Sequence, residues 1–306
     1  MKLGALSLDQ VRSQLRHASV RLRVGPFAIA VSADDPDFAA TLHFLYQDFP
    51  LLKDEEPAEF RIRVDYPHGL RRWWRRQVRF FLDDTEPFEP FPSNLAMPFF
   101  EWGLNWCIYE HAHEFLIVHA AVVERNGRAL VLPAEPGSGK STLCAALVLE
   151  GWRLLSDEFA LIAAPDGRVL SIPRPIGLKE RSIGIIRALS DTAELGPTFV
   201  DTRKGDVAHL RPPGGSVRSA SESAMVGWIV FPSYLAGAEN RLEPLSKAAG
   251  FAKASDDCFN YELLGATGFE FLASVIDNCE CFDLTFSNLR AAIDLIDSIT
   301  APRSAE

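Results

Sequence analysis

The sequence predicts an α/β protein: a larger domain of alternating strands and helices, preceded by a smaller α+β unit. Three observations carry this. The 306 residues are 47% hydrophobic and 24% charged, which is globular composition with apolar surface enough for one large domain or two smaller ones. From residue 99 onward, apolar runs of strand length alternate with stretches of helical spacing. A Gly-rich loop, Pro136 to Gly139, stands between one such strand and one such helix, at the strand end where α/β folds bind ligands.

In chain order, strands are expected at Val20 to Val31 and Glu59 to Asp65. Between them, Phe38, Leu42 and Leu45 mark a helix over Phe38 to Tyr46. Pro87 to Pro98 holds four prolines and can be neither a long helix nor a central strand, so the domain boundary is placed there: residues 1–98 as the accessory unit, 99–306 as the main domain. A helix over Phe99 to His111 follows, then a strand from Phe115 to Val123. Asn126-Gly127 signals a hairpin into a strand at Ala129 to Leu132, because both residues tolerate φ > 0. After the Gly-rich loop come a helix over Ser141 to Leu149, stopped by Gly151, and a strand from Trp152 to Ser156. A strand at Gly227 to Phe231 and an amphipathic helix at Leu289 to Ile299 complete the pattern.

Ala134-Glu135-Pro136-Gly137-Ser138-Gly139-Lys140-Ser141-Thr142 is a P-loop with Ala134 where the stricter pattern has Gly. Glycines let successive N–H groups wrap a phosphate, Lys140 reaches the β and γ phosphates, Ser141 ligates Mg²⁺, and the helix start adds its positive end. Pro136 through Thr142 are therefore the candidate nucleotide-binding residues, with ATP and Mg²⁺ as expected ligands. Asp157 and Glu158 end the next strand, with sixteen residues between Lys140 and Asp157. Two adjacent carboxylates near a metal–phosphate centre can divide the work, one holding Mg²⁺ and the other taking a proton. So short a spacing favours a compact kinase over a motor-type ATPase. His119 falls inside an apolar strand, where its imidazole needs a polar partner.

The segment Val118 to Ser141, with Leu154-Leu155-Ser156-Asp157-Glu158 and Leu178-Lys179-Glu180-Arg181-Ser182-Ile183-Gly184-Ile185-Ile186, resembles the catalytic domain of bacterial HPr kinase/phosphorylase. Glu101-Trp102-Gly103-Leu104-Asn105-Trp106, Trp152-Arg153 and Asp201-Thr202-Arg203-Lys204-Gly205 make the chain more similar to the HPr-kinase-related kinases of bacterial operons for ribosomally made peptides, the HPr-rel-A subgroup. The resemblance implies an HPr-kinase/PEP-carboxykinase-like P-loop kinase domain. It further implies that His119 polarises or orients the acidic pair, that Asp157 is the base, and that Arg181 lies near the transferring phosphoryl group. Glu158 stands where the classical pair has a second aspartate and becomes, with Ser141, the expected metal residue. The division of roles between Asp157 and Glu158 stays open. Arg181-Ser182 replaces the classical Arg-Gly, which weakens the case for phosphate-dependent dephosphorylation and leaves reverse activity open.

These readings lead to an ATP-dependent kinase acting on a hydroxyl, of Ser, in a peptide or small protein, with peptide-maturation proteins as partners. Two alternatives stand beside it: a non-catalytic nucleotide sensor, and a kinase of a small-molecule hydroxyl. Lys plus Arg count 31 against 41 Asp plus Glu, a formal charge of −10, which repels nucleic acid and anionic membranes. Five scattered cysteines and an opening without a basic start or an apolar block lead us to expect a soluble protein of the reducing cytoplasm. Homo-oligomerisation is left open. Lys179, Arg203 and Lys204 are cations available either to phosphate or to solvent. The run Arg71-Arg72-Trp73-Trp74-Arg75-Arg76 with Arg79 reads as a surface or partner-contacting edge. Cys107, His111 and His113 have metal-compatible spacing without a fourth ligand, and Cys279 and Cys281 are expected on two sides of one strand.

Overall fold

The computed structural model describes residues 1–53, 55–66, 76–163 and 166–301. From the N-terminus come α1 (Leu8–His17), β1 (Val20–Val24), β2 (Phe27–Ala33), α2 (Pro36–Tyr46), β3 (Phe60–Asp65), β4 (Gln77–Leu82), β5 (Phe91–Pro92) and α3 (Ala96–His111). Then follow β6 (Phe115–Arg125), β7 (Arg128–Pro133), α4 (Lys140–Leu149), β8 (Arg153–Ser156), β9 (Phe159–Ala163), β10 (Arg168–Leu170), β11 (Ile176–Lys179), α5 (Arg181–Leu189), β12 (Phe199–Thr202) and β13 (Gly205–Leu210). The chain closes with α6 (Gly214–Arg218), β14 (Ala224–Tyr234), β15 (Arg241–Leu245), α7 (Lys247–Asp256), α8 (Tyr261–Leu264), α9 (Ala266–Asn278), β16 (Glu280–Phe286) and α10 (Leu289–Thr300). Two compact units result. Unit 1 is Met1–Ala112 with Ile172–Arg187 and Ala193–Ser221; unit 2 is His113–Ser171 with Ala188–Thr192 and Glu222–Glu306.

Unit 1 is built on a sheet of order β1-β2-β3-β4-β5. The single strand expected over Val20 to Val31 is two strands, because Gly25 takes φ 58° and with Pro26 turns the chain back on itself. The helix α2 begins where Asp35 accepts a hydrogen bond from Phe38 N–H at 2.7 Å, with Pro36 in its first turn, and it carries β2 to its parallel neighbour β3. A second small sheet, β11-β13-β12, comes from the later insertions. The boundary expected at residue 98 therefore differs from the division seen. α3 belongs to unit 1 because its apolar face seats on β4 so closely that a Cβ on Gly103 would stand 2.1 Å from Phe80 Cε2. Residues 172–187 and 193–221 belong to it as well, the first of them through a buried ion pair: Arg174 donates to Glu101 Oε2 at 2.7 Å and to Asn105 Oδ1 at 2.6 Å, while Tyr46 OH donates to the other Glu101 oxygen at 2.7 Å.

Unit 2 is one sheet of order β10-β9-β6-β7-β14-β16-β15, with β8 also beside β6. The β6–β7 hairpin turns at Asn126 and Gly127, both with φ > 0 (55° and 78°), as the Asn-Gly signal predicts. β7 lies parallel to β14, and β14 parallel to β16, while β10 pairs with both β9 and β14, so five strands close on themselves. Leu116, Val118, Ala120 and Val122 of β6 join Ala254 of α7 and Leu272, Val275 and Ile276 of α9 in one core. The alternate residues of β6, His119 among them, point to the opposite face.

Candidate active site

The Gly-rich loop runs from the end of β7 at Pro133 into α4. Gly137 and Gly139 have φ of 95° and 86°, a region that strains any L side chain. At Gly139 space is closed as well: a Cβ there would lie 2.9 Å from Phe286 Cζ and 3.2 Å from Tyr234 Cβ. Tyr234 N–H donates to Ser138 O at 3.0 Å, so the end of β14 braces the loop. No side chain caps α4 at Gly139, which leaves its first N–H groups and its positive dipole end open to an anion. The Ser138 hydroxyl and the Lys140 ammonium are buried without a hydrogen-bond partner. Burial pulls the Lys140 pKa below its ordinary value, and the charges of Glu158, Asp157 and Asp257 oppose that pull. Unpaired buried donors are costly, and a phosphate group at an open helix start would satisfy both.

The strand β6 places the remaining groups. Its successive N–H groups point to opposite edges: Ala120 donates to Glu158 O at 3.2 Å and His119 donates to Asp257 O at 2.8 Å. On the first edge, β9 pairs with β6 as far as His119↔Phe159, and β8 pairs from Val122↔Ser156. Asp157 and Glu158 lie at the handover between those two partners. The Ser156 hydroxyl fixes the bend by accepting from the N–H groups of Phe159 at 3.2 Å and Glu158 at 3.4 Å. On the second edge, β7 pairs with β6 up to Ala120↔Pro133 and then leaves for the Gly-rich loop. Beyond that point Cys258 bridges Val118. Next to it Asn260, 2% exposed, donates to Phe115 O at 2.7 Å and accepts from Ile117 N–H at 3.0 Å.

His119 thus sits between the acidic pair and Asp257. Its Nε2 lies 3.8 Å from Glu158 Oε1, close enough for an ion pair when the imidazole is protonated, and its ring packs against Phe259 at 5.4 Å. Asp157 is buried, and Cys144 on α4 feels it: burial first, then the Asp157 charge, pushes that thiol's pKa well up. Ser141 and Thr142 are half-buried in the first turn of α4. His119, the loop from Pro136 to Thr142, Asp157 and Glu158 all belong to one unit.

Several of the other expected groups belong to unit 1. Lys179 and Arg181 belong to unit 1 and are exposed, Arg181 as the first residue of α5. Arg203 lies over the Phe91 ring at 4.9 Å and Lys204 over the Trp102 ring at 5.3 Å, so both cations serve packing within unit 1. Of the basic and aromatic run, residues 71–75 lie outside the described residues, and Arg79 is held by Asp65 at 3.8 Å and Glu86 at 3.5 Å. The possible zinc set is not assembled: His111 Nδ1 engages Cys107 O at 2.9 Å, burial pushes the Cys107 pKa up to about 12, and His113 falls in the other unit. Cys279 and Cys281 do not face opposite sides. Both are buried, with sulfurs 4.0 Å apart, because residues two apart in extended chain share a face. Asp257 is a member of the site that motif reasoning passes over, as are Tyr234 and Asn260, which brace it.

These features define the class: an α/β unit with a phosphate-type loop between strand and helix and an acidic pair on the neighbouring strand edge. No family model matches the chain, and no curated protein matches it. Among solved structures, the HPr(Ser) kinase/phosphatase from Coxiella burnetii is similar to it at 13% identity, with 60% of this chain and 92% of that one covered at a TM-score of 0.27. A likeness of that size carries no functional argument, which rests on the residues just described.

Proposed function

We propose that the chain is an ATP-dependent kinase that moves the γ-phosphoryl group to a hydroxyl, of Ser, on a peptide or small protein, in a system that matures ribosomally made peptides. The observation that carries this reading is the buried Lys140 ammonium, without a hydrogen-bond partner, at the uncapped start of α4 and within the field of Asp157 and Glu158. Lys140, Ser138 and the N–H groups of the loop would hold the β and γ phosphates. Ser141 and Glu158 would hold Mg²⁺, which supplies charge screening at the phosphates. Among the described residues no three His, Cys, Asp or Glu side chains form a cage, which suits an ion bound largely through nucleotide oxygens.

In this reading Asp157 accepts the proton of the acceptor hydroxyl. The hydroxyl oxygen bonds to the γ phosphorus, the bond from that phosphorus to the β–γ bridging oxygen breaks, and ADP leaves with the electron pair. His119 orients Glu158 through the 3.8 Å contact. The test is incubation with γ-labelled ATP, Mg²⁺ and candidate small-protein acceptors. Wild type should label an acceptor, and Asp157→Asn should transfer roughly 10²-fold more slowly with ATP affinity retained. Normal nucleotide binding with no transfer to any acceptor would make the protein a nucleotide sensor. Label appearing only on amino acids or sugar alcohols would move the acceptor to small molecules.

A further inference from the structure

Three carboxylates act by charge on one ammonium at the loop, none of them hydrogen-bonded to it. Asp157 and Glu158 stand on one edge of β6, and Asp257 stands on the other, where the chain takes over the position that β7 gives up on leaving for the loop. The placement of Asp257 is fixed by backbone: its carbonyl accepts from His119 N–H at 2.8 Å, and Phe259 N–H donates to Ile117 O at 2.9 Å. Its side chain is half-buried, and its titration is influenced by the charges of Lys140 and of Glu135 in the loop itself. The Lys140 ammonium, on a residue 7% exposed and without a hydrogen-bond partner, is the sole cation among these five groups, so their summed charge is negative. A site of that sign repels a nucleotide whose phosphates are bare and accepts one whose charge a divalent ion has already reduced.

We propose that Asp257 is a specificity residue that makes the loop select the magnesium complex of a nucleoside triphosphate over the free nucleotide. This rests on the nucleotide-binding reading above and adds a residue outside the P-loop and the acidic pair. The selection is electrostatic. Free nucleotide must approach Asp157, Glu158 and Asp257 with its own charge unscreened, and removing one of the three lowers that barrier.

The experiment is calorimetric titration of the full chain with ATP in Mg²⁺ and, separately, in excess chelator. Wild type should bind free ATP about tenfold or more weakly than its magnesium complex. Asp257→Asn keeps the backbone bond to His119 and should narrow that gap by about fivefold, mainly by tightening free ATP. Asp256→Asn, the exposed neighbour, removes the same charge from the chain and should leave the gap as in wild type. A gap unchanged in Asp257→Asn, or narrowed as much by Asp256→Asn, overturns the proposal while the nucleotide reading stands. Wild type that binds neither form overturns the nucleotide reading itself.

Discussion

At the scale of single residues, Lys140 holds the most informative position, since its ammonium meets no hydrogen-bond acceptor in the fold. Lys140→Met should lower ATP affinity by roughly 10²-fold and shift the melting temperature by no more than a few degrees, measured by titration and thermal denaturation side by side. A second residue, His209, is buried in unit 1 with Nδ1 lacking a hydrogen-bond partner. Burial, joined by the Arg174 charge and opposed by Glu101, holds its pKa below the ordinary 6.5. The unfolded chain therefore binds the extra proton first, so the stability from neutral His209 is present above about pH 6.5 and is lost as pH falls toward its folded value. Urea midpoints should drop between pH 7.5 and 5.5, and His209→Gln should flatten that slope; an unchanged slope would mean other groups set it. Lys140, Asp157 and Glu158 were legible in the sequence as candidates because their spacing repeats a known phosphate chemistry, and His119 became one only through the family resemblance. Asp257 was not, for an aspartate just past a helix end looks like any solvated turn residue until the pairing of β6 shows what it stands beside.

Among elements, α3 shows how a distinctive run of residues can be about packing. Within Glu101 to Trp106, Glu101 and Asn105 hold Arg174, Gly103 admits the Phe80 ring, and Trp102 lies under Lys204. Glu101→Ala would strand a buried guanidinium and should cost about 3–5 kcal/mol, read from chemical denaturation. Gly103→Ala should cost about 1–3 kcal/mol through overpacking against β4. The β6–β7 hairpin, the loop and α4 were legible because Asn126-Gly127 and Gly137-Ser138-Gly139 demand particular backbone geometry. The β11-β13-β12 sheet was not: its strands run four to six residues, and Asp201 interrupts β12 with a positive φ of 57°, so no period survives to be read. The turn at Gly25-Pro26 was misjudged for the opposite reason, since the apolar alternation on its two sides reads as one continuous strand.

For the whole molecule, α/β character and a Gly-rich loop between strand and helix followed from the sequence, and the division into units did not, because a boundary drawn at prolines presumes that each unit is one uninterrupted stretch. Unit 1 draws on three stretches, the last ending at Ser221. A fragment ending at residue 98 or 112 should therefore lack cooperative unfolding and dispersed amide resonances, whereas a folded fragment 1–98 would show that the later stretches are dispensable. The discontinuity also bears on birth at the ribosome. β7 pairs in parallel with β14, which in turn waits for β16 at Glu280–Phe286, so the strand that feeds the loop emerges roughly 150 residues before its sheet can be completed. At about 5–20 residues per second that delay is on the order of ten seconds. Until β14 is made, β7 has only β6 beside it, so nascent chains stalled before residue 224 should be protected poorly against protease at Leu130 to Leu132 and chains stalled after residue 286 should be protected well.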